Sequence, residues 1–114
     1  MIAVIFEVEP KDGKTNAYLN LAAEMRPLVE QVDGFISVER FQSLTSPGKL
    51  LSLSFWRDED ALEKWRRLEA HRKAQKAGRG ALFEDYRLRI AGVIRDYGMD
   101  EREDAPDDSR VHHG

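Results

Sequence analysis

The sequence of 114 residues contains no cysteine. This absence excludes disulfides, thiolate nucleophiles, iron–sulfur clusters and cysteine-ligated zinc, so the chain must fold by packing alone. Long hydrophobic runs are also missing, since the apolar stretch 1–6 is far shorter than the roughly 20 residues of a membrane-spanning helix. No basic segment precedes an apolar one in the manner of a signal peptide. We therefore expect a cytoplasmic protein with no membrane partner.

A large excess of charge of one sign is missing as well. The net charge is -3, and the segment 99–114, with six acidic residues and two arginines, carries -4, which leaves +1 on residues 1–98. A nearly neutral body lacks the positive field of nucleic-acid binders, so no nucleic-acid partner is expected. Because the segment 99–114 is acidic and has no apolar periodicity, we predict one folded domain at 1–98 followed by a disordered tail at 99–114.

The apolar residues that are present recur with two distinct periods. Alternating and helical spacings predict six elements in the order β-α-β-β-α-β, with strands at 2–9, 35–44, 50–56 and 83–94 and helices at 15–32 and 59–77. The two middle strands are predicted to form a hairpin, because the segment between them contains Pro47 and Gly48. This order is typical of a ferredoxin-like α+β fold, in which both helices cover one face of a four-stranded antiparallel sheet.

The third strand has two faces of different character. Leucine and phenylalanine alternate with small polar residues, so we interpret one face as core and the other as a cavity wall. The core face carries Leu51, Leu53 and Phe55, and the cavity wall carries Ser52, Ser54 and Trp56. Small residues beside a large aromatic ring leave room that a packed core would not.

The sheet face without helices raises the question of oligomeric state. It is predicted to expose Ala3, Ile5, Ala91 and Val93, an apolar area that is large for a monomer. A second copy of the chain would cover it, so we expect a homodimer that closes into a dimeric α/β barrel.

Four segments carry a resemblance to a known family: DGFISVERFQSL at 33–44, LLSLSFWRDEDALEKW at 50–65, HRKAQKAGR at 71–79 and YRLRIAGVIRDYG at 86–98. Residues 1–98 resemble the antibiotic biosynthesis monooxygenase domain family of dimeric α/β-barrel proteins. The resemblance implies a cofactor-independent monooxygenase that acts on a small aromatic or polyketide-like substrate. Because the family is mixed, haem binding or haem degradation is one alternative, and a non-catalytic dimer that binds a small ligand is another.

The resemblance also implies site residues on the second helix and the last strand. Haem-degrading members use a histidine and a tryptophan of the second helix and an asparagine of the first strand; here Trp65 and His71 are present, but the first strand has no asparagine. Cofactor-free members use tryptophan with tyrosine and arginine nearby, which points to Trp65, Tyr86, Arg87 and Arg89. No metal is expected from the protein alone, because His71 has no second ligand at helical spacing.

We assign roles on this basis. The catalytic candidates are His71, Trp65, Tyr86 and Arg89, and the substrate-binding candidates are Trp56, Ser52, Ser54 and Arg87. His71 or Tyr86 would act as the base, and Arg89 would stabilise the resulting anion. The cavity is expected between the second helix and the open side of the sheet, lined by an arginine of the last strand.

Two of these assignments have structural alternatives. Trp65 lies in helical register with Leu62 and Leu68, so it can serve as a core anchor instead of a substrate platform. The arginines of the last strand can pair with an acid of a neighbouring strand, Glu7 or Glu39, instead of with a ligand.

Overall fold

In the part of the chain that the structure describes, six regular elements follow one another in the predicted order. The computed structural model describes the backbone of residues 1–75 and 82–108 and the side chains of residues 1–69 and 82–108. The elements are β1 (Ile2–Pro10), α1 (Thr15–Val29), β2 (Phe35–Gln42), β3 (Leu50–Trp56), α2 (Glu59–Gln75) and β4 (Phe83–Gly92). The strands form one antiparallel sheet in the order β2-β3-β1-β4. The predicted ferredoxin-like α+β fold is confirmed.

Helix α1 ends three residues before the predicted boundary, and its last turn explains why. The Gln31 N–H donates to the Leu28 carbonyl, and the Val32 N–H donates to the Val29 carbonyl. These bonds span three residues instead of four, so the chain tightens into a 3₁₀-like turn while Val32 still packs against the core. Neither α1 nor the described part of α2 has the length and hydropathy that a membrane crossing requires.

Gly34 turns the chain from α1 into β2. Its φ of +95° lies in the left-handed region, and a Cβ at this position would lie 2.6 Å from the Cβ of Ala61. The Gly34 carbonyl accepts a hydrogen bond from the Arg57 N–H at 2.7 Å. Glycine is therefore needed both for the backbone conformation and for the close approach of this turn to α2.

Asp58 begins α2. Its Oδ1 accepts a hydrogen bond from the Ala61 N–H at 2.9 Å, so Asp58 caps the helix. This backbone hydrogen bond, together with the Arg57 side chain, lowers the pKa of the Asp58 carboxyl below its ordinary value. The predicted end of α2 at residue 77 lies outside the described residues.

The register of the strands determines which side chains lie under the helices. Across the sheet, Val4 is paired with Ser54 and Ile90, and Phe6 is paired with Ser52 and Leu88. This face packs against both helices. The buried cluster at one end of it consists of Val29, Trp56, Ala61 and Leu62, with Ile2, Val4, Val32, Phe35 and Trp65 packed around it.

The faces of β3 are the reverse of the predicted arrangement. Leu51, Leu53 and Phe55, which we predicted as core, lie on the sheet face without helices, where Leu53 is paired with Ile5 and Phe55 with Ala3. The prediction was wrong because alternation separates two faces without showing which one the helices cover. The helix-free face therefore has more apolar area than the sequence suggested.

The segment after β4 makes contacts of its own. The Val93 N–H donates to the Met1 carbonyl at 3.0 Å, and the Gly98 N–H donates to the Glu101 carbonyl at 2.7 Å. The Arg102 guanidinium lies 5.2 Å from the centre of the Tyr97 ring. The domain boundary at residue 98 and the disordered state of the tail stay predictions.

Candidate functional site

A cavity of about 610 Å³ lies between the sheet and the two helices. Its lining is mostly aliphatic and aromatic, with a few polar groups, and its volume is within the range of small-molecule sites. The apolar lining residues include Val4, Phe6, Tyr18, Leu21, Met25, Val38, Trp56, Leu62, Trp65, Phe83, Tyr86 and Leu88; the polar ones are Arg26, Arg40, Ser52, Ser54, Arg66 and Glu69. The predicted wall of Ser52, Ser54 and Trp56 is therefore part of this cavity.

The cavity lies on a different side of the sheet from the one predicted. We expected it between the second helix and the open side of the sheet, but it lies on the side that both helices cover. The physical reason is the pairing of Ser52 and Ser54 with Phe6 and Val4, which places the small serine side chains in the interior under the helices. Two serines in place of larger residues leave this interior incompletely filled.

Trp56 closes one end of the cavity and is fixed in place. Its side chain is 1% exposed, and its Nε1 donates a hydrogen bond to the Ser54 Oγ at 2.9 Å. The ring of Phe35 meets it edge-on, with 5.2 Å between the ring centres. The Ser54 hydroxyl is thus used within the protein, and its main role in this structure is to satisfy the buried indole.

Trp65 is placed for both of the roles that the sequence left open, core anchor and substrate platform. It packs against the core cluster, and it also lines the cavity. Its ring is stacked on that of Trp56, with 6.4 Å between the ring centres and 27° between the planes. A substrate ring that enters the cavity would meet an aromatic surface already held in place.

Aromatic rings also form the opposite end of the cavity. Phe6, Tyr18, Phe83 and Tyr86 form a chain of ring contacts with centres 5.7 to 6.1 Å apart. Tyr86 is 59% exposed, so its ring lines the cavity while remaining accessible to water. Tyr18, by contrast, is buried in α1.

Arg40 is a charged residue of the site that we did not select from the sequence, as are Arg26, Arg66 and Glu69. It lies on β2, paired with Ser52 of β3, and its Cζ is 5.9 Å from the centre of the Tyr18 ring. Its Nε is buried and has no hydrogen-bond partner among the described residues. The alternation of β2 places Val38 and Arg40 on one face, but the pairing that brings this face to the serines is not readable from the sequence.

The two arginines of β4 do not belong to this cavity. Arg87 and Arg89 alternate with the cavity residues Tyr86 and Leu88, so they lie on the helix-free face. The expectation that an arginine of the last strand lines the cavity is therefore wrong. The alternative is confirmed for Arg89, whose Nη1 lies 3.1 Å from the Glu7 carboxylate.

His71 lies within the backbone span of α2, and its side chain is outside the described residues. In the part of the chain that the structure describes, no group of three or more histidine and acidic side chains is placed to hold a metal ion.

Comparison with known proteins gives a family match over most of the chain. A family model described as antibiotic biosynthesis monooxygenase matches residues 1–77. The jasmonate monooxygenase of Pyricularia oryzae is 47% identical over 93 residues, which are 82% of this chain and 43% of that protein. This chain thus spans less than half the length of that relative.

Solved structures show the same fold. The structure of Rv0793 from Mycobacterium tuberculosis matches with a TM-score of 0.72 and 21% identity, over 85% of this chain and 98% of that one. A variant of MhuD with two manganese protoporphyrin IX molecules bound per active site matches with a TM-score of 0.68 and 20% identity, over 86% of this chain and 99% of that one. At these identities the likeness concerns the fold alone.

The hydrogen bond between Trp56 and Ser54 can be tested with a matched pair of variants. Ser54→Ala leaves the buried Nε1 of Trp56 without its acceptor, so we expect the free energy of unfolding to fall by about 2 kcal/mol. Ser52→Ala makes the same chemical change on the same face of β3 without removing that bond. Urea unfolding of both variants measures the difference, and equal losses would contradict the assigned role of Ser54.

Proposed function

Because the chain belongs to the antibiotic biosynthesis monooxygenase family, we propose that it is a monooxygenase that oxidises a small aromatic or polyketide-like substrate without a bound cofactor. The observation that carries this proposal is the cavity of about 610 Å³ between the sheet and the helices. Its apolar walls and few polar groups suit a molecule of one to three rings with a small number of oxygen atoms. The relative named as a jasmonate monooxygenase supports a small-molecule substrate.

The proposed chemistry needs little from the protein beyond binding and proton transfer. A substrate methylene activated by neighbouring carbonyl or phenol groups loses a proton to a base, and the resulting anion reacts with oxygen. One oxygen atom enters the substrate as a carbonyl, the other leaves as water, and the substrate itself supplies the electrons. No external reductant is required in this scheme.

Tyr86 is the base candidate whose position supports the role. Its ring lines the cavity and is accessible to water, through which a proton can leave. Trp65 and Trp56 provide the aromatic surface at the other end. His71 stays a second candidate for the base, while Arg89, engaged with Glu7 on the other face, is no longer part of the proposed site.

Haem binding is a second candidate function, favoured by the fold neighbour that carries manganese protoporphyrin IX. Among the described lining residues there is no histidine, and His71 is our candidate for the iron ligand. Haem would supply iron and oxygen chemistry, and the apolar walls around Trp65 would hold the macrocycle. We rank this candidate second because it rests on a fold neighbour of 20% identity.

Oxygen uptake tests the proposed function directly. Protein freed of metals, flavin and haem should consume oxygen with an anthrone substrate faster than the spontaneous reaction does. Tyr86→Phe should lower kcat by about 100-fold, the contribution expected of a positioned base. Tyr97→Phe, which makes the same change at a tyrosine outside the cavity lining, serves as the control.

Three results would count against this account. A wild-type rate equal to the spontaneous rate would contradict the proposed activity. Equal rates for wild type and Tyr86→Phe would remove Tyr86 as the base. Activity that appears only after hemin is added, with a shifted Soret band, would favour the haem candidate instead.

The proposal includes a homodimer formed through the helix-free face. That face carries Ala3 and Ile5 of β1 and Leu53 and Phe55 of β3, next to each other in the sheet register. With Leu51 and Ala91 they form a continuous apolar surface at the centre of the sheet, and the Glu7–Arg89 ion pair lies beside it. A second copy with the same surface would bury it symmetrically.

Sedimentation velocity at micromolar concentration tests the dimer. We expect twice the 13.1 kDa mass of the chain for the wild type. Leu53→Glu, which places a charge in the centre of the helix-free face, should give monomers. Leu44→Glu, at a leucine that is 97% exposed in the hairpin loop, should stay dimeric. A monomeric wild type would contradict the proposed dimer.

A further inference from the structure

We propose that Arg40 is the anion-binding residue of the cavity and that the ligand is a small apolar molecule ending in one carboxylate. This inference uses the cavity of the proposed function and adds the chemical class of its ligand. It does not depend on which reaction follows binding.

The main observation is a buried donor without an acceptor. The Nε of Arg40 is buried, and no described residue accepts a hydrogen bond from it. Buried polar groups in folded proteins nearly always have a partner, and guanidinium groups more than most, because they stay charged. A guanidinium N–H that is unpaired among the described residues and lies on a cavity wall therefore indicates an acceptor that those residues do not supply.

The other cations of the cavity lining are either ion-paired or exposed to water. Arg26 is paired with Glu30 on the next turn of α1, at 2.8 Å. Arg66 lies on an exposed position of α2, where water solvates its charge. Arg40, which has no ion pair in the part of the chain that the structure describes, is thus the cation that a buried ligand would meet.

The surroundings of Arg40 favour a carboxylate over a phosphate. The Tyr18 ring, buried in α1, lies 5.9 Å from the Arg40 Cζ, and this contact limits the positions of the guanidinium. The Nε–H and a neighbouring Nη–H can bind one carboxylate through two parallel hydrogen bonds. A phosphate carries more charge and would need further cations or backbone donors, whereas the walls around Arg40 are largely apolar.

Ser52 is placed to assist Arg40. The two residues are paired across β2 and β3 and lie on the same face of the sheet, which is the cavity face. The hydroxyl of its neighbour on that face, Ser54, is already used by Trp56. The Ser52 hydroxyl would donate a further hydrogen bond to the carboxylate, while the ligand's apolar body lies toward Trp65.

The test compares an acid with its neutral ester. We would measure the binding of 1-naphthylacetate and of its methyl ester by isothermal titration calorimetry at pH 7, without any oxidation step. The wild type should bind the acid at least tenfold more tightly than the ester. Arg40→Leu should weaken binding of the acid at least tenfold and leave the ester unchanged. Arg40→Lys, which keeps the charge but not the paired donors, should lie between them.

Arg67→Leu is the matched control. It removes the same charge from an exposed arginine of α2 that is paired with Glu63 and is not part of the cavity lining. Binding of both probes should be as in the wild type. Thermal unfolding of each variant shows that the fold is retained, and Arg40→Lys keeps the test valid if Arg40→Leu is unstable.

The outcomes separate this inference from the proposed function. Equal affinity of the wild type for acid and ester, unchanged acid binding in Arg40→Leu, or no binding of either probe at millimolar concentration would overturn it. Binding that depends on Arg40 in a protein without oxygenase activity would support the inference and contradict the proposed reaction. Oxygenase activity in a protein whose binding of the acid is unchanged by Arg40→Leu would contradict the inference and support the proposed reaction.

Discussion

The arrangement of this protein depends on two serines under the helices. Ser52 and Ser54 occupy positions at the centre of the helix-covered face of the sheet, where larger apolar side chains would fill the interior. Because the serines are small, α1 and α2 cannot pack fully onto the sheet between the aromatic ends. The space that remains is the cavity, so the small residues that leave the interior open also create the site.

The aromatic residues keep this underpacked interior stable. At one end, Trp56 is buried, held by Phe35 and bonded to Ser54, and Trp65 stacks on it. At the other end, four rings from β1, α1 and β4 contact one another in series. Large rigid rings thus pack together at both ends, while the middle stays open.

The charged residues divide between the two faces of the sheet according to the alternation of each strand. On the helix-free face, Arg89 is neutralised by Glu7. On the helix-covered face, the Arg40 Nε is buried, and none of the residues that the structure describes accepts a hydrogen bond from it. Arg89 on β4 is thus held in an ion pair on the helix-free face. Of these two arginines, only Arg40 on β2 is available to a ligand in the cavity.

This division also shows what could be predicted from the sequence and what could not. The bounds of β3 were predicted correctly, because turn residues precede it and the Asp58 cap follows it. The membership of Ser52, Ser54 and Trp56 in one wall followed from their spacing. The identity of the helix-covered face and the role of Arg40 depend on pairing between distant strands, which local patterns do not encode.

In our proposal, ligands bind between the helices and the sheet with their acidic group at Arg40. A crystal structure of the protein with 1-naphthylacetate tests it most directly. We predict the naphthalene ring beside Trp65 and a carboxylate oxygen about 2.9 Å from the Arg40 Nε. A ligand bound instead on the helix-free face, with its carboxylate at Arg89, would contradict the account.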